Sequence, residues 1–316
     1  MIVETRVASP TRLEHRASFY STLPNLLHLV LSEVQAAADR RGPVALIVEP
    51  DAEREVRARF GAAPGLMILP PPEAATRGSG QTVATHLARE LRELAGATGR
   101  VSFVMQHEPR LDGSDLAYWT ELDAAVNVAL CDLPITMTCL FPAFAMQPQA
   151  EQAVRWNHPQ LIESGLPLTN PDHLPPEEVI ALASQPPLPP LGPAQQRVVF
   201  TPWELHAVRA AVADVARRVS LDERRAEDLV VAVNEIATNA VEYGTGDAEV
   251  LLWASLDGLI CEVHNSGRLT DALPGLQPPH PGDPRGRGIW IARQLCDLLH
   301  IWSDSDGTHV RIHAIC

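Results

Sequence analysis

The segment from Asp228 to Gly244, DLVVAVNEIATNAVEYG, constrains the fold more than any other stretch of the sequence. Its apolar residues recur at three- and four-residue steps, which predicts an amphipathic helix with one buried face. Glu235 and Asn239 lie four residues apart, so they stand one above the other on a single face of that helix. An amide oxygen can ligate a Mg²⁺ ion that also holds nucleotide phosphates, and a carboxylate can orient or deprotonate a hydroxyl. Taken alone, such a pair is more often simply a solvated helix face.

Length and composition restrict the classes of protein that remain. The 316 residues suffice for two domains of ordinary size, and 46% hydrophobic with 20% charged residues is typical of a globular chain. A formal net charge of -14 disfavours binding to nucleic acid or an anionic membrane, because both attract clustered positive charge. Every basic residue is Arg, so the Lys that a Walker A loop or Schiff-base chemistry needs is missing.

The cysteines and the N-terminus bear on the compartment. The cysteines are scattered, odd in number and without metal-ligand spacing, which favours free thiols in a reducing cytoplasm. They are Cys131, Cys139, Cys261, Cys296 and Cys316. The N-terminal segment MIVETRVASP lacks an apolar core, and no uninterrupted apolar run reaches membrane-spanning length. We therefore expect a cytoplasmic protein that does not enter a membrane.

The first half of the chain alternates short apolar runs with helical periods. Helices are predicted at residues 26–40, 51–60, 82–94 and 115–130, with strands at GPVALIVEP, LMILP, VSFVMQ and ITMTCLFP. Regular alternation of this kind predicts an α/β domain with a doubly wound, mostly parallel sheet covered by helices.

Two polar stretches in this half could bind a ligand. GSGQT at residues 78–82 is similar to a phosphate loop with Gln81 in place of Lys, but Ser79 or Thr82 is more simply a helix cap. The second stretch follows the third predicted strand, where doubly wound sheets bind ligands, although such loop residues are more often solvated or capping. Its residues are His107, Glu108, Asp112 and Asp115.

Several short motifs run through the region from Leu13 to His173. They are His15 before SFYS, Glu108-Pro109 after the third strand, Asn127 in the next helix, the strand TCLFP, and NHPQLIESG followed by Asn170-Pro171. With these motifs the region resembles the MEDS sensory domain, an alternating α/β module at the front of several bacterial regulators. The resemblance implies that the first domain senses an unknown small-molecule signal.

A Pro-rich stretch separates the two halves. It reads PPEEVIALASQPPLPPLGP from Pro175 to Pro193, and its last residues are mostly Pro. Such a sequence favours extended polyproline geometry and is not expected to pack as a regular element. We therefore predict a sensory domain at residues 1–174, a linker at 175–195 and a second domain at 196–316.

The second half predicts two layers, one mixed sheet and one set of helices. Thr201 and Glu204 form a capping box for a helix, and SLDE at residues 220–223 repeats that pattern before the next one. The sequence DAEVLLWASLDGLICEVHNSG predicts two strands joined by a tight turn at Asp257-Gly258. GRGIWIARQLCDLL predicts a helix opened by glycines, and DGTHVRIHAI predicts a closing strand.

Three motifs and a Gly-Thr pair occur in order in this half: NEIATNAVEYG, VHNSG, GRGIW and Gly307-Thr308. In that order, from about Val198 to Cys316, they resemble the GHKL ATPase domain. This Bergerat-type fold is shared by gyrase, histidine kinases and the anti-sigma-factor serine kinases. The resemblance implies a two-layer α/β sandwich that binds ATP with Mg²⁺.

The resemblance also implies a role for each matching residue. Glu235 would be the general base and Asn239 the Mg²⁺ ligand, with Tyr243 at the nucleotide in the same motif. Asn265 stands where the family has Asp and would accept a hydrogen bond from the adenine amine. The other nucleotide contacts would be Gly267 at the lid hinge, Gly286, Arg287 and Gly288 at the phosphates, and Thr308 behind the adenine.

The setting of the ATPase-like half favours one branch of this superfamily. A Pro-rich stretch precedes it in place of a dimerisation helix pair with a phospho-accepting His, and His206 is more plausibly a surface residue. No transducer domain is expected after it. The chain thus resembles anti-sigma-factor serine kinases, which implies a transcription regulator that phosphorylates an antagonist protein or sequesters a sigma factor, with homodimer formation allowed. The alternative is a non-catalytic, nucleotide-gated or degenerate binding switch.

Overall fold

The computed structural model describes residues 12–61, 65–71, 79–107, 113–183, 188, 191–244, 246–255, 258–280, 282 and 286–316. The chain divides into two compact units. The first comprises Met1–Glu73 and Leu87–Ser184, and the second comprises Ala74–His86 and Gln185–Cys316. Within the described ranges, none of the helices combines the length and the apolar character needed to cross a bilayer.

The first unit is built on a mostly parallel sheet. Its strands in the described residues are β1 (Glu14–Tyr20), β2 (Val44–Ile47), β3 (Leu66–Ile68), β4 (Val101–Gln106), β5 (Ile135–Pro142), β6 (Gln160–Glu163) and β7 (Leu166–Thr169). They lie in the order β3-β2-β4-β5-β1-β6-β7. The β6–β7 pair is antiparallel and the other pairs are parallel. This arrangement confirms the predicted α/β fold class.

Helices accompany this sheet in sequence. They are α1 (Leu23–Asp39), α2 (Pro50–Phe60), α3 (Gly80–Thr98), α4 (Gly113–Ala129), α5 (Pro148–Asn157) and α6 (Pro176–Leu182). Helix α1 begins where Thr22 Oγ1 accepts a hydrogen bond from the Asn25 backbone N–H at 3.3 Å, which satisfies one of the free donors of the first turn. Strands β4 and β5 are buried on both faces, as their continuous apolar sequences predict.

Strand β1 was missed by the sequence prediction. Its sequence, EHRASFY, has no apolar run, yet it lies between β5 and β6 in the sheet. Glu14 and Arg16 pair with each other at 2.5 Å, while Ala17 and Tyr20 are buried. Pairing with β5 along its whole length makes this segment a strand, because neighbouring strands outweigh local propensity.

Helix α6 forms in the stretch that was expected to be extended. Pro176 lies in its first turn together with Glu177 and Glu178, residue types that favour the start of a helix. Val179 is fully buried. The expectation that this stretch forms no regular element was therefore wrong for its first half, because burial of one apolar side chain and a favourable N-terminus suffice for two turns.

The second unit combines helices with an antiparallel sheet. Its described strands are β8 (Gln196–Phe200), β9 (Ala248–Ser255), β10 (Gly258–Asn265), β11 (Leu298–Ser303) and β12 (Thr308–Ile315), in the order β11-β12-β10-β9-β8. Its helices are α7 (Leu205–Arg218), α8 (Glu223–Tyr243) and α9 (Gly288–Leu295). All four strand pairs in these residues are antiparallel. The expected mixed sheet is thus wrong, whereas the two-layer sandwich is confirmed.

Apolar stripes on the helices bury the core of this unit. Leu229, Val233 and Ile236 of α8 lie on the buried side, as the helical period predicts. They belong to one core cluster with strand residues such as Leu252 and Ile312. The periodicity of α8 therefore decides both its burial and the side from which its polar residues project.

Of the two helix caps predicted in this unit, one is observed and the other is formed by a different residue. Thr201 and Glu204 form the predicted capping box, which opens a single 3₁₀ turn before α7. Asp222, and not Ser220, caps α8 by accepting from the backbone N–H groups of the next turn. Ser220 instead has a φ of 58°. Asp257 of the predicted hairpin turn lies outside the described residues.

Candidate nucleotide site

A cavity of about 420 Å³ lies where α8, α9 and the sheet of the second unit meet. It includes most of the residues that the motifs predicted as nucleotide contacts. From α8 the lining residues are Ile236, Asn239, Ala240 and Tyr243, and from the sheet they are Val263, Asn265, Thr308 and Val310. From the loop and from α9 they include Gly267, Arg268, Leu269, Gly275, Gly286, Gly288 and Ile289.

One end of the cavity is formed by side chains of α8 against the first residue of α9. A Cβ atom at Gly288 would lie 3.0 Å from Asn239 Nδ2 and 3.2 Å from Glu235 Oε2. Both side chains are half-buried, and their four-residue spacing brings them to the same point. A side chain at this position would have to displace the ends of Asn239 and Glu235, whereas glycine lets the start of α9 offer its backbone. Backbone N–H groups at a helix start are suited to an anion.

Asn265, the last residue of β10, also lines the cavity. Its side chain is buried, and its Nδ2 donates a hydrogen bond to the backbone oxygen of Ala240 at 3.0 Å. Because a carbonyl can only accept, this bond fixes the orientation of the amide and leaves Oδ1 to accept from another donor. The neutral amide can therefore accept a hydrogen bond as the Asp of the family would, although its neutral oxygen is the weaker acceptor.

Gly267 is required by close packing beside Asn265. A Cβ atom at this position would lie 2.7 Å from the Tyr243 backbone oxygen and 2.9 Å from Asn265 Nδ2. The same holds for Gly244, where a Cβ atom would lie 2.4 Å from the Ala240 oxygen. These glycines let the end of α8 touch the strand that carries Asn265.

Thr308 fixes the start of the loop that follows Gly267. Its hydroxyl donates to the Gly267 oxygen at 2.9 Å and accepts from the Leu269 backbone N–H at 3.0 Å. Gly307 precedes it with a φ of 140°, and a Cβ atom there would lie 2.0 Å from the Asn265 oxygen. The Gly-Thr pair thus holds the loop against β10, and Thr308 also lines the cavity.

The loop of residues 268–285, which follows the lid hinge at Gly267 and would form the lid, is packed against α9 in its described part. Leu273 and Leu276 are buried. Gly275 has a φ of 68°, and a Cβ atom there would lie 2.6 Å from Ile289 Cγ2. The Pro274 oxygen accepts from Nε of the buried Arg293 at 3.0 Å. Residues 281 and 283–285 of the expected lid lie outside the described part.

Residues 79–86 belong to the second unit, and their hydroxyls cover the free edge of β11. Thr82 Oγ1 accepts from the Leu299 backbone N–H at 3.0 Å, and Ser79 Oγ donates to the Leu299 oxygen at 3.1 Å. Ser79 Oγ also accepts from the Thr82 backbone N–H at 3.2 Å, which confirms the helix-cap interpretation. Gln81 Oε1 accepts from Arg293 at 2.6 Å. These groups are engaged with protein, and Gly78 lies outside the described residues.

Three other sequence candidates are near the surface. Tyr243 lines the cavity and is 64% exposed. Arg287 is the N-cap residue of α9, with an exposed side chain. His206 is exposed, and its Nδ1 lies 3.2 Å from the Trp203 oxygen, as expected for a surface residue.

The polar stretch after β4 is only partly described. His107 is fully buried, whereas Asp115 is exposed in the first turn of α4. Glu108 and Asp112 lie outside the described residues. The two described members therefore lie in different environments and do not form a joint surface site.

None of the five cysteines, all of which lie in the described part of the chain, forms a disulfide. In the second unit, burial raises the pKa of Cys296 to about 12, and burial also raises the pKa of Cys261. Such thiols stay protonated and unreactive near neutral pH. The expectation of free thiols is confirmed.

Sequence reasoning missed the part that Ala240 and Gly244 play in this site. Ala240 contributes its backbone oxygen and Gly244 contributes the absence of a side chain. A search for polar side chains does not detect either contribution. The signal that could have found Gly244 is its place directly after the motif helix.

Fold and cavity together define this unit as a two-layer α/β sandwich with a cavity between helices and sheet. Residues 198–314 match the family model described as the histidine kinase-like ATPase domain. The match supports the resemblance found from the motifs and, with it, ATP binding in the second unit. A search of curated proteins finds no match to the chain.

Proposed function

We propose that the protein is an ATP-binding transcription regulator of the anti-sigma-factor serine kinase type. It would phosphorylate a Ser or Thr of an antagonist protein, or sequester a sigma factor, in the cytoplasm and in response to a small-molecule signal at its first domain. The observation that carries the proposal is that Asn239, Gly288 and Asn265 line one cavity, while Glu235 approaches Gly288 beside Asn239.

The residues present fit ATP with Mg²⁺. Asn265 has an amide oxygen left to accept from the adenine amine, because its Nδ2 is bonded to the Ala240 oxygen. The backbone at Gly286 and Gly288 would receive the phosphates, and Arg287 beside them supplies a positive charge. Asn239 would hold Mg²⁺ through its side-chain oxygen, and the ion, when bound, would neutralise phosphate charge.

Glu235 would serve as the base for transfer. Its carboxylate would accept the proton of a Ser or Thr hydroxyl while that oxygen bonds to the γ-phosphorus, and the bond to the leaving ADP oxygen breaks. Electrostatic stabilisation and positioning carry most of the catalysis in such transfers.

A non-catalytic, nucleotide-gated binding switch is the second candidate. Two observations favour it: Asn265 is a neutral acceptor where the family has Asp, and the described part of the lid is packed against α9 through Leu273, Gly275 and Leu276. A lid held in this way has less freedom to close over phosphates.

Calorimetric titration of the full chain with ATP and Mg²⁺ tests the nucleotide site. We expect saturable binding that weakens about tenfold or more in Asn239→Ala and largely survives in Glu235→Ala, because only the former removes a ligand of the metal–phosphate complex. Absence of heat and of any thermal shift at millimolar ATP would contradict ATP binding and leave a protein-binding fold.

Turnover separates the kinase from the switch. ADP and phosphoprotein would be measured with candidate antagonist proteins that carry an acceptor Ser or Thr, comparing the wild type with Glu235→Gln. This variant keeps the size of the side chain but replaces the carboxylate with an amide that cannot act as a base. Binding of ATP without product in the wild type would favour the switch, and light scattering of both forms would test for a homodimer.

A further inference from the structure

Four buried side chains of the first unit converge on one point, although they come from distant parts of the sequence. We call them the buried cluster: His15 of β1, Asp123 of α4, Cys139 of β5 and His158 directly after α5. One ligand atom from each lies within 4.8 Å of the other three. Parallel pairing sets Ala17 opposite Cys139, so His15 and Cys139 project from the same face of the sheet. All four residues are at most 3% exposed.

The hydrogen bonds around His15 determine its tautomer. Asn127 Nδ2 donates to the Asn157 oxygen at 2.7 Å, which fixes Asn127 Oδ1 as an acceptor. His15 Nδ1 lies 2.9 Å from that oxygen and must therefore carry the proton. The lone pair of His15 is then on Nε2, which lies 3.4 Å from Cys139 Sγ. An outer partner that fixes a histidine in this way is characteristic of metal-binding histidines.

His158 is oriented in the same manner. Its Nδ1 lies 2.7 Å from the Val154 backbone oxygen, which can only accept, so Nδ1 carries the proton. The Nε2 lone pair faces Asp123, with Oδ2 at 4.0 Å. Among the described residues, neither His158 Nε2 nor Asp123 Oδ1 has a hydrogen-bond partner. Two imidazole lone pairs and a carboxylate thus face one another, and the thiol proton of Cys139 alone cannot satisfy them.

Buried acceptors without donors are costly, and a carboxylate in a dry interior costs more than a neutral group. A cation at the centre reduces the conflict, because both imidazole lone pairs, the thiolate and one carboxylate oxygen then share a partner. The described ligand set is two imidazoles, one thiolate and one carboxylate, a mixture that suits zinc-like metals better than Mg²⁺ or Ca²⁺. Tetrahedral zinc bonds place neighbouring ligand atoms about 3.3–3.8 Å apart. The 3.4 Å between His15 Nε2 and Cys139 Sγ lies within that range.

We propose that the buried cluster binds one tetrahedral divalent cation of the zinc class. The ion would link β1, α4, β5 and the end of α5, and it would have four protein ligands and no open position, as in structural zinc sites. Beside the buried cluster, His107 Nε2 lies 4.0 Å from Asp123 Oδ1, which is too far for a hydrogen bond, and its ring stacks on Phe141 with 4.1 Å between the ring centroids.

Metal content of the full chain tests this proposal. The protein would be prepared without a metal-binding tag, reconstituted with zinc or cobalt, and dialysed before analysis. We expect one equivalent of metal per chain and, with cobalt, a tetrahedral spectrum with a thiolate-to-cobalt charge-transfer band. A folded wild type with no metal above the buffer background would overturn the proposal. In that case a proton shared between Asp123 and His158 resolves the conflict instead.

Two cysteine variants locate the site. Cys139→Ser should lose the charge-transfer band, whereas Cys131→Ala, a change in the same unit but outside the buried cluster, should keep it. A band that survives Cys139→Ser would contradict the ligand assignment. If Cys139→Ser does not fold, the wild-type cobalt spectrum still decides, because an octahedral spectrum without a thiolate band contradicts the proposal.

Discussion

The cavity of the second unit and the buried cluster of the first unit are two opposite ways of building a polar site. The cavity is partly open and uses backbone groups, glycines and side chains from three short motifs. The buried cluster is closed and unites side chains that are up to 143 positions apart, from His15 to His158. The contrast teaches that a site made from contiguous motifs can be predicted from a single sequence. A site made from single residues on separate elements cannot be predicted in this way.

The largest effect is expected where the first residue of α9 approaches α8. Gly288→Val places a branched side chain where a Cβ atom alone would already lie 3.0 Å from Asn239 Nδ2. We expect ATP affinity to fall about 100-fold or more, about 2.7 kcal/mol, measured by calorimetry. Gly246→Val is the matched control, because a Cβ atom there meets nothing within 4 Å. Equal losses in both variants would mean that the approach of α9 to α8 does not form the site.

A somewhat smaller effect is expected for the partner that orients His15. Asn127→Ala removes the acceptor at 2.9 Å from His15 Nδ1 while leaving the buried cluster in place. We expect affinity for zinc to fall about 10- to 100-fold, measured by competition with a chromophoric chelator. Asn25→Ala at the start of α1 serves as the control. Unchanged zinc affinity in Asn127→Ala would mean that the histidine is not fixed by this bond.

The hydroxyl contacts at the edge of β11 are expected to affect the stability of the second unit. Thr82→Val keeps the volume of the fully buried side chain but leaves the Leu299 backbone N–H without its acceptor at 3.0 Å. We expect a loss of about 1–3 kcal/mol in the free energy of unfolding, measured by denaturant titration. Thr85→Val should cost less, because Thr85 Oγ1 only adds a bond to the Gln81 oxygen within the helix. Similar costs for both would contradict the role given to the edge bonds.

The smallest effect concerns acid stability of the second unit. Burial lowers the pKa of His300 to about 3 and that of His313 to about 4. Because these folded-state pKa values lie below the unfolded value, the unfolded chain binds more protons, and stability falls as the pH drops below about 6.5. We expect a loss of about 1 kcal/mol between pH 7 and pH 6. The double variant His300→Gln, His313→Gln should show a flatter pH dependence of denaturation, and an unchanged slope would contradict this origin.

Local sequence signals predicted the elements whose stability is decided locally. The period of α8, the capping box at Thr201 and Glu204, and the apolar runs of β4 and β5 were all found from sequence. The same signals failed for β1 and α6, because pairing with β5 and burial of Val179 stabilise them from outside the segment. The predicted domain boundaries stay predictions.

The candidate site residues, like the helices and strands, could be predicted only where local sequence signals fix their positions. Glu235, Asn239 and Gly288 could be predicted because a fixed helical spacing and a glycine at a helix start limit where they can lie. The bond from Asn265 to the Ala240 oxygen could not be predicted, since it depends on how β10 meets the end of α8. The roles in catalysis and metal binding stay predictions.

The sequence by itself determined the alternating α/β character of the first half, the motif order of the second and the absence of Lys that excludes a Walker A loop. Only the tertiary structure decided that Ser79 and Thr82 cover the edge of β11 and that the buried cluster forms at all. The physical reason is that helical period and turn chemistry act over a few residues. Hydrogen bonds and ligand sets between distant elements depend on the register and packing of the whole unit.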